Sequence, residues 1–365
     1  MTASLSASRA AKLGGLALVG ALAVTGCNAD SNTASTTGSK ISCATGSLKG
    51  AGSTFQKNIV AQWIKDYSAA CKGANLDYQG IGSGAGIKQF GSGTIDFAGS
   101  DSTMKDDEQK AGDTQCGSPA LHLPITAGGI AIAYNLPSVT DLQLSPSTIA
   151  GIFQGTVKTW DAQAVKDDNP GTTLPSTAIT AVHRDDSSGT TSVFSKFLDA
   201  TAKADWKLGT GKELKWPASI QGAAKSDGVT QAVAAAEGGV TYVEQSFVET
   251  GGLHAAKVKN GAGEFTALTT ASVTSALAGA TLPGTGNDLK VGYDFTAATA
   301  GAYPITAVSY EIVCSTAKDA TKQALLKSFL TYAAGKGQDS AAAAGFAPLP
   351  STMATRVQTV IKALA

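Results

Sequence analysis

One pattern recurs four times along the chain: a short apolar run, a loop of Gly, Ser and Thr, and then a stretch with helical spacing of apolar residues. The first copy is Ser47-Leu-Lys-Gly-Ala-Gly-Ser-Thr54, after which Ile59, Val60, Trp63, Ile64 and Tyr67 fall on one face of a helix. The second is Leu76-Asp-Tyr-Gln-Gly-Ile-Gly-Ser-Gly84, leading into a helix through Ile87 and Phe90. The third is Thr94-Ile-Asp-Phe-Ala-Gly-Ser-Asp101, with a polar helix expected from Thr103. The fourth runs from Ala178 to Arg184 into Asp185-Asp-Ser-Ser-Gly-Thr190, and Val193, Phe194, Phe197 and Leu198 form the stripe that follows. Strands alternating with helices predict an α/β fold with mainly parallel sheets. Ligands of such folds bind beyond the carboxyl ends of the strands, where these loops lie. Backbone N–H groups and hydroxyls at the positive end of a helix make an anion site that needs no net charge.

The composition narrows which anion. Lys plus Arg number 28 and Asp plus Glu 28, a balance without any basic run. Nucleic acid and other large polyanions are excluded as partners, because nothing supplies their electrostatic footprint. A hydrophobic content of 43% excludes a disordered chain.

Other chemistries fit less well. Gly80-Ile-Gly-Ser-Gly-Ala85 matches G-x-G-x-x-A and Asp101 follows at dinucleotide-fingerprint distance. Asp101, however, follows Gly99-Ser100 and is not placed at the end of a strand, and exported proteins seldom meet nicotinamide cofactors. Asp186-Ser-Ser-Gly-Thr190 lacks the leading Gly of a nucleophile elbow, and nothing couples His122, His183 or His254 to its serines. No G-x-x-x-x-G-K-[ST] occurs. No cofactor, metal or catalytic residue is expected.

The amino terminus reads as an address. Arg9 and Lys12 precede the apolar stretch Leu13–Val24, which is too short to span a membrane and has the form of a secretory signal. Val24-Thr-Gly-Cys27 resembles a bacterial lipobox, which makes Cys27 a lipidated new N-terminus held by its acyl chains at the membrane's outer face. Residues 1–26 are expected as signal peptide and 27–47 as a tether, since 9 of the 20 residues from Asn28 to Ser47 are Ser or Thr. Cys43, Cys71, Cys116 and Cys314 remain, an even number in an oxidising compartment, without CxxC spacing and with three possible connectivities.

Together these loops resemble the phosphate-binding protein of the Pst-type ABC importer, a class II periplasmic-binding-protein fold. Lys49-Gly-Ala-Gly-Ser-Thr-Phe55 resembles that family's first loop, Tyr78–Ile87 its second and Asp96-Phe-Ala-Gly-Ser-Asp101 its third. His183-Arg-Asp-Asp-Ser-Ser-Gly-Thr190 is similar to its H-R-S-D-G-S-G-T. Further landmarks are Gly155–Asp161, Asn169-Pro-Gly171, Leu174-Pro175, Trp216-Pro217, Gly239–Val243 and Gly345–Pro350. The chain departs from the pattern at Asp185, where Ser is common, and at Ser187, where Gly is common.

The resemblance implies two α/β lobes with the ligand cleft between them, lobe one at 48–133 plus 303–365 and lobe two at 134–302. It implies inorganic phosphate as ligand and, as partner, a membrane permease driven by a separate ATPase; a monomer is expected. Thr54 and Ser83 would donate hydroxyl hydrogen bonds to phosphate and Phe55 its backbone N–H. Ser188, Gly189 and Thr190 would cradle a further oxygen, Arg184 would supply a guanidinium fork, and Asp186 would orient it. Asp101 would carry selectivity, because an ionised carboxylate accepts the proton that hydrogen phosphate keeps and sulfate lacks. On that fold all four cysteines fall in lobe one. If the strands near Leu121–Ile125 and Val308–Val313 lie antiparallel side by side, the pairing is Cys43–Cys71 and Cys116–Cys314.

Overall fold

A computed structural model describes residues 41–283 and 286–365. The expected signal peptide, the anchor Cys27 and the tether as far as residue 40 lie outside the described residues. The chain opens with β1 (Gly46–Gly52), α1 (Lys57–Ala70), β2 (Ala74–Gly80), α2 (Ser83–Gly91), β3 (Phe97–Ser100), α3 (Asp106–Cys116) and β4 (Ala120–Tyr134). It continues with β5 (Gln143–Leu144), α4 (Pro146–Phe153), α5 (Gln163–Asp168), β6 (Thr180–Arg184), α6 (Gly189–Thr201), β7 (Gln221–Ala223), α7 (Lys225–Ala234), β8 (Gly239–Glu244) and α8 (Gln245–Gly251). Then follow β9 (His254–Ala255), β10 (Lys257–Lys259), β11 (Phe265–Thr266), α9 (Thr270–Leu277), β12 (Thr306–Cys314), α10 (Ala320–Ala333) and α11 (Ser351–Ala363).

All four repeats of the sequence pattern are strand–loop–helix units. In α1 the residues Ile59, Val60, Trp63 and Tyr67 are buried, and in α6 the stripe Val193, Phe194, Phe197 and Leu198 is buried too. Each such side chain contributes about 1.5–3 kcal/mol by leaving water. The polar helix α3 begins three residues later than expected. Lys105 occupies its N-cap position, and the Lys105 N–H donates to Glu108 Oε2 at 2.8 Å, closing the first turn.

The main sheet has the order β2-β1-β3-β12-β4-β8-β6-β7, with β9 also on β4. Parallel pairing is confined to its two flanks, β2-β1-β3 and β8-β6-β7, whereas β12 and β4 run antiparallel to their neighbours. The sheet is therefore mixed, where mainly parallel pairing was expected. The cause is β4, a strand of 15 residues buried throughout. Its Ala120–Gly129 portion pairs with β12 and its Ile130–Tyr134 portion with β8, so one strand belongs to both halves of the sheet. The change of partner falls at Gly129/Ile130, four residues before the lobe boundary drawn from the sequence.

The β12–β4 ladder slips once, between Ser309 and Tyr310, which face Thr126 and Pro124 and leave Ile125 as the extra residue. A bulge re-aims side chains locally, and Ser309 is one of those it turns.

Cys43 is bonded to Cys71, and Cys116 to Cys314, the pairing expected for the family. The end of the expected tether is thus part of the fold: besides the Cys43 bridge, Ser42 O accepts a hydrogen bond from Ser328 and β1 starts at Gly46. The Cys116–Cys314 bridge joins residues 198 apart and ties the end of α3 to the end of β12. Replacing both of these cysteines by Ser is expected to lower stability by roughly 2–5 kcal/mol, read as a fall in Tm by calorimetry under oxidising conditions.

Candidate functional site

Four loops, following β1, β2, β3 and β6, meet where the two halves of the sheet adjoin. They bring together Thr54, Phe55, Ser83, Asp101, Arg184, Ser188, Gly189 and Thr190, all buried. Asp101 is held by hydroxyls: Ser53 and Ser309 each donate to its Oδ1 at 2.6 Å, and Ser83 to Oδ2 at 3.3 Å. Burial pushes its carboxyl up, against the pull of these hydroxyls and of the Arg184 charge. Oδ2 is the less engaged oxygen, and it faces Gly189. A Cβ at position 189 would run into Ser83 Oγ and lie 2.6 Å from Asp101 Oδ2. Glycine there keeps the face of Asp101 clear. Asp101 does not cap α3, a role that belongs to Lys105.

Arg184 ends β6 with its side chain 1% exposed. Asp186 grips it on one edge, accepting from Nε and Nη2, both at 2.6 Å. Burial works against the Arg184 charge, but Asp186 outweighs it and raises the guanidinium's pKa; the same pair holds Asp186 below the usual carboxylate range although burial opposes it. The Lys225 N–H also donates to Asp186 Oδ1, at 2.9 Å. That grip leaves Nη1, which reaches Thr190 Oγ1 at 3.5 Å and Ser226 Oγ at 3.4 Å. Beneath, Tyr242 fixes the unit: its hydroxyl accepts from the Arg184 N–H and bonds Thr191 Oγ1, while its ring stacks on Phe194 at 4.2 Å.

Ser188 caps α6, accepting from the Thr191 N–H at 3.1 Å. The N–H groups of Gly189 and Thr190 precede any intrahelical acceptor and point out of the helix end. α1 and α2 begin at the same place, after Gln56 and Gly82. The partial positive charge of three helix starts therefore acts on one small volume.

Neither departure from the family pattern takes the place of a predicted ligand group. Asp185 is exposed, and the Arg184 fork is taken by Asp186. Ser187 has no left-handed backbone; among described residues Lys225 is the non-glycine with positive φ. Ser187 packs across the cleft, its carbonyl accepting from the Gly84 N–H at 2.9 Å. Other contacts span the same gap: Lys57 with Asp227 at 2.9 Å, Lys212 with Glu108 at 2.7 Å, and Asn58 with Ser246 at 2.9 Å.

Sequence reading missed Ser53, Ser226, Glu244, Ser309, Gln56 and Glu311. Ser53 stood inside a loop already singled out, and Ser226 opens a helix directly after a strand, as the four repeats do. Behind Asp101, Gln56 donates to Glu311 Oε1 at 2.9 Å and to the Tyr78 hydroxyl at 3.2 Å, and Tyr78 donates to the Ser53 carbonyl at 2.8 Å. Burial pushes Glu311 up to about 8 and the nearby Asp101 adds to this, against the Gln56 hydrogen bond.

Two of the three histidines are engaged elsewhere. His183 stacks on Trp216 at 4.8 Å, and His122 lies between the Met104 N–H and Asp288. Among the described residues no cluster of His, Cys, Asp and Glu could hold a metal ion.

A family model for the PBP superfamily domain matches residues 32–336. The chain is 37% identical over 361 residues to phosphate-binding protein PstS3 of Mycobacterium bovis (strain BCG / Pasteur 1173P2), covering 96% of this chain and 97% of that one. It is 33% identical over 321 residues to phosphate-binding protein PstS of Xylella fastidiosa (strain Temecula1 / ATCC 700964), covering 85% and 84%. Among solved structures, a periplasmic phosphate-binding protein (PfluDING) bound with phosphate aligns with a TM-score of 0.71 at 24% identity, over 86% of this chain and 93% of that one. The phosphate-binding protein from Stenotrophomonas maltophilia aligns with a TM-score of 0.69 at 22% identity, with the same coverages. These structural likenesses show a shared fold.

Two outcomes follow from the geometry. Gly189→Ala should displace Asp101 and Ser83 and lower Tm, because neither neighbour can move without losing a buried hydrogen bond; an unchanged Tm would show that the site relaxes freely. Glu311 keeps its proton in the folded chain up to about pH 8, from an ordinary 4.5. Its contribution to stability is thus fully present below about pH 4.5 and is lost as pH rises towards 8, at up to about 1.4 kcal/mol per pH unit. Glu311→Gln should remove that slope, measured as urea midpoints of both proteins across the same range.

Proposed function

The chain belongs to the phosphate-binding proteins of the PBP superfamily, with the two-lobed class II periplasmic-binding fold, and we propose that it captures inorganic phosphate outside the cytoplasmic membrane for delivery to the permease of an ABC importer. The observation that carries this reading is a buried carboxylate and a buried guanidinium, each with its own partners, facing one volume ringed by hydroxyls and helix starts. Hydrogen phosphate suits such a volume. Its unprotonated oxygens take Arg184 Nη1, the hydroxyls of Thr54 and Thr190, that of Ser83 turned away from Asp101 Oδ2, and the N–H groups of Phe55, Gly189 and Thr190; its one proton goes to Asp101 Oδ2. Sulfate offers Asp101 only lone pairs.

In this reading the lobes are 48–133 with 303–365 and 134–302. Phosphate favours closure because it completes contacts from both. Lys57–Asp227, Glu108–Lys212 and Gly84–Ser187 are then the latches of the closed form. Cys27 anchors the chain by its acyl chains, and the permease is driven by a separate ATPase. The protein works as a monomer and performs no covalent chemistry; Ser188 is occupied as a helix cap and His122 and His183 are committed to other partners, which supports binding over hydrolysis.

Calorimetric titration with phosphate and with sulfate tests the proposal. One phosphate per chain and no sulfate heat at neutral pH is expected, with discrimination on the order of 10⁴–10⁵. Asp101→Asn should reduce that ratio by roughly 100-fold or more, because an amide offers an N–H to sulfate as readily as to phosphate. Acidification should act in the same sense, since a protonated Asp101 becomes a donor. The absence of phosphate heat, or equal affinity for sulfate, would overturn the proposal.

A further inference from the structure

Glu244 is the last residue of β8 and is 1% exposed, yet among the described residues no ion pair holds it. Its Oε2 lies 3.2 Å from Ser226 Oγ and its Oε1 is buried without a hydrogen-bond partner. Ser226 Oγ in turn lies 2.7 Å from Thr54 Oγ1 and 3.4 Å from Arg184 Nη1. We infer that Glu244 holds a proton, and that this proton sets the direction of the hydroxyl chain Ser226–Thr54 so that Thr54 donates to the bound anion.

Each hydroxyl has a single proton to give, and a guanidinium can only donate. With Glu244 ionised, Ser226 must donate to it, and Ser226 then accepts from Arg184 and Thr54. The Thr54 proton is consumed, and Thr54 turns only lone pairs towards an anion. With Glu244 protonated, Arg184 still donates to Ser226 but the other two bonds reverse: Glu244 donates to Ser226, Ser226 donates to Thr54, and the Thr54 proton points into the site. The orphaned Oε1 agrees with the second arrangement, because a buried carbonyl oxygen without a partner costs far less than a buried carboxylate oxygen without one. Burial pushes Glu244 well above the usual range, with Asp101 acting in the same sense, against its own backbone hydrogen bond, the Arg184 charge from β6 and the Ser226 hydrogen bond. From the other packed elements, Ile130 of β4 lies opposite it in the ladder, and Asp227 of α7 is taken by Lys57. Glu244 is thus a positioning residue, two hydroxyls removed from the ligand.

The inference rests on phosphate as ligand, and the test separates the two. Infrared difference spectra of the wild-type chain against Glu244→Gln should show the carbonyl stretch of a protonated carboxylic acid at neutral pH. Calorimetry with inorganic phosphate should find Glu244→Gln close to wild type, because its amide N–H donates to Ser226 as the protonated acid does. Ser226→Ala, which breaks the chain, should bind about tenfold more weakly. At the pH where the wild type loses the infrared band its phosphate affinity should fall by a similar factor, and Glu244→Gln should show no such fall. No carboxylic-acid band, or Ser226→Ala binding as tightly as wild type, would overturn the role of Glu244 and leave phosphate capture standing. No phosphate heat from the wild type would overturn both. Should Glu244→Gln fail to fold, Ser226→Ala against the wild type decides.

Discussion

A guanidinium and a carboxylate excluded from water, and not paired with each other, impose most of what surrounds them. Arg184 must have a carboxylate of its own, and Asp186 supplies it two residues on, in a geometry that spends only one edge of the fork. Asp101 must be solvated by something other than water, and Ser53, Ser83 and Ser309 do this from β1's loop, α2 and β12. Each group is satisfied from one side, so each has capacity left on the side that faces the other. In the proposed function, a dianion between them would meet neutral donors and helix starts as well as a neutralised guanidinium. This is how a chain of zero net charge can host it.

The polar character extends to the contacts between the halves of the sheet. Lys57–Asp227, Lys212–Glu108 and the Gly84–Ser187 backbone bond are all groups that water would satisfy equally well. Phe55, Trp63, Phe97, Phe153, Phe194 and Tyr242 belong to one apolar cluster that runs through both halves. The apolar cluster and the polar seam are chemically distinct.

The loops were legible because Gly, Ser and Thr directly after an apolar run are a local signal, and the buried helix stripes that follow are another. What surrounds Asp101 was legible only in part. Ser309 lies 208 residues away and bonds Asp101 from beside the bulge at Ile125, a feature of the ladder that no window of sequence displays. Glu244 closes a strand that reads as ordinary core. β4 was recognised only around Leu121–Ile125, since Gly128-Gly129 interrupts the β-branched signal where the strand passes between the halves. The mixed sheet follows from that long strand and from β12 returning beside it, a pairing that helix and strand periodicity cannot reveal.

The Cys116–Cys314 bridge has a topological consequence. Every residue from 117 to 313 lies within one covalent loop, which includes β5 to β11 and all the helices between them. The half of the molecule that supplies Arg184 is therefore an inserted ring whose entry and exit are locked at one point on the other half. A single cut by a protease anywhere in that ring leaves both pieces attached, so the nicked protein should remain one species until it is reduced.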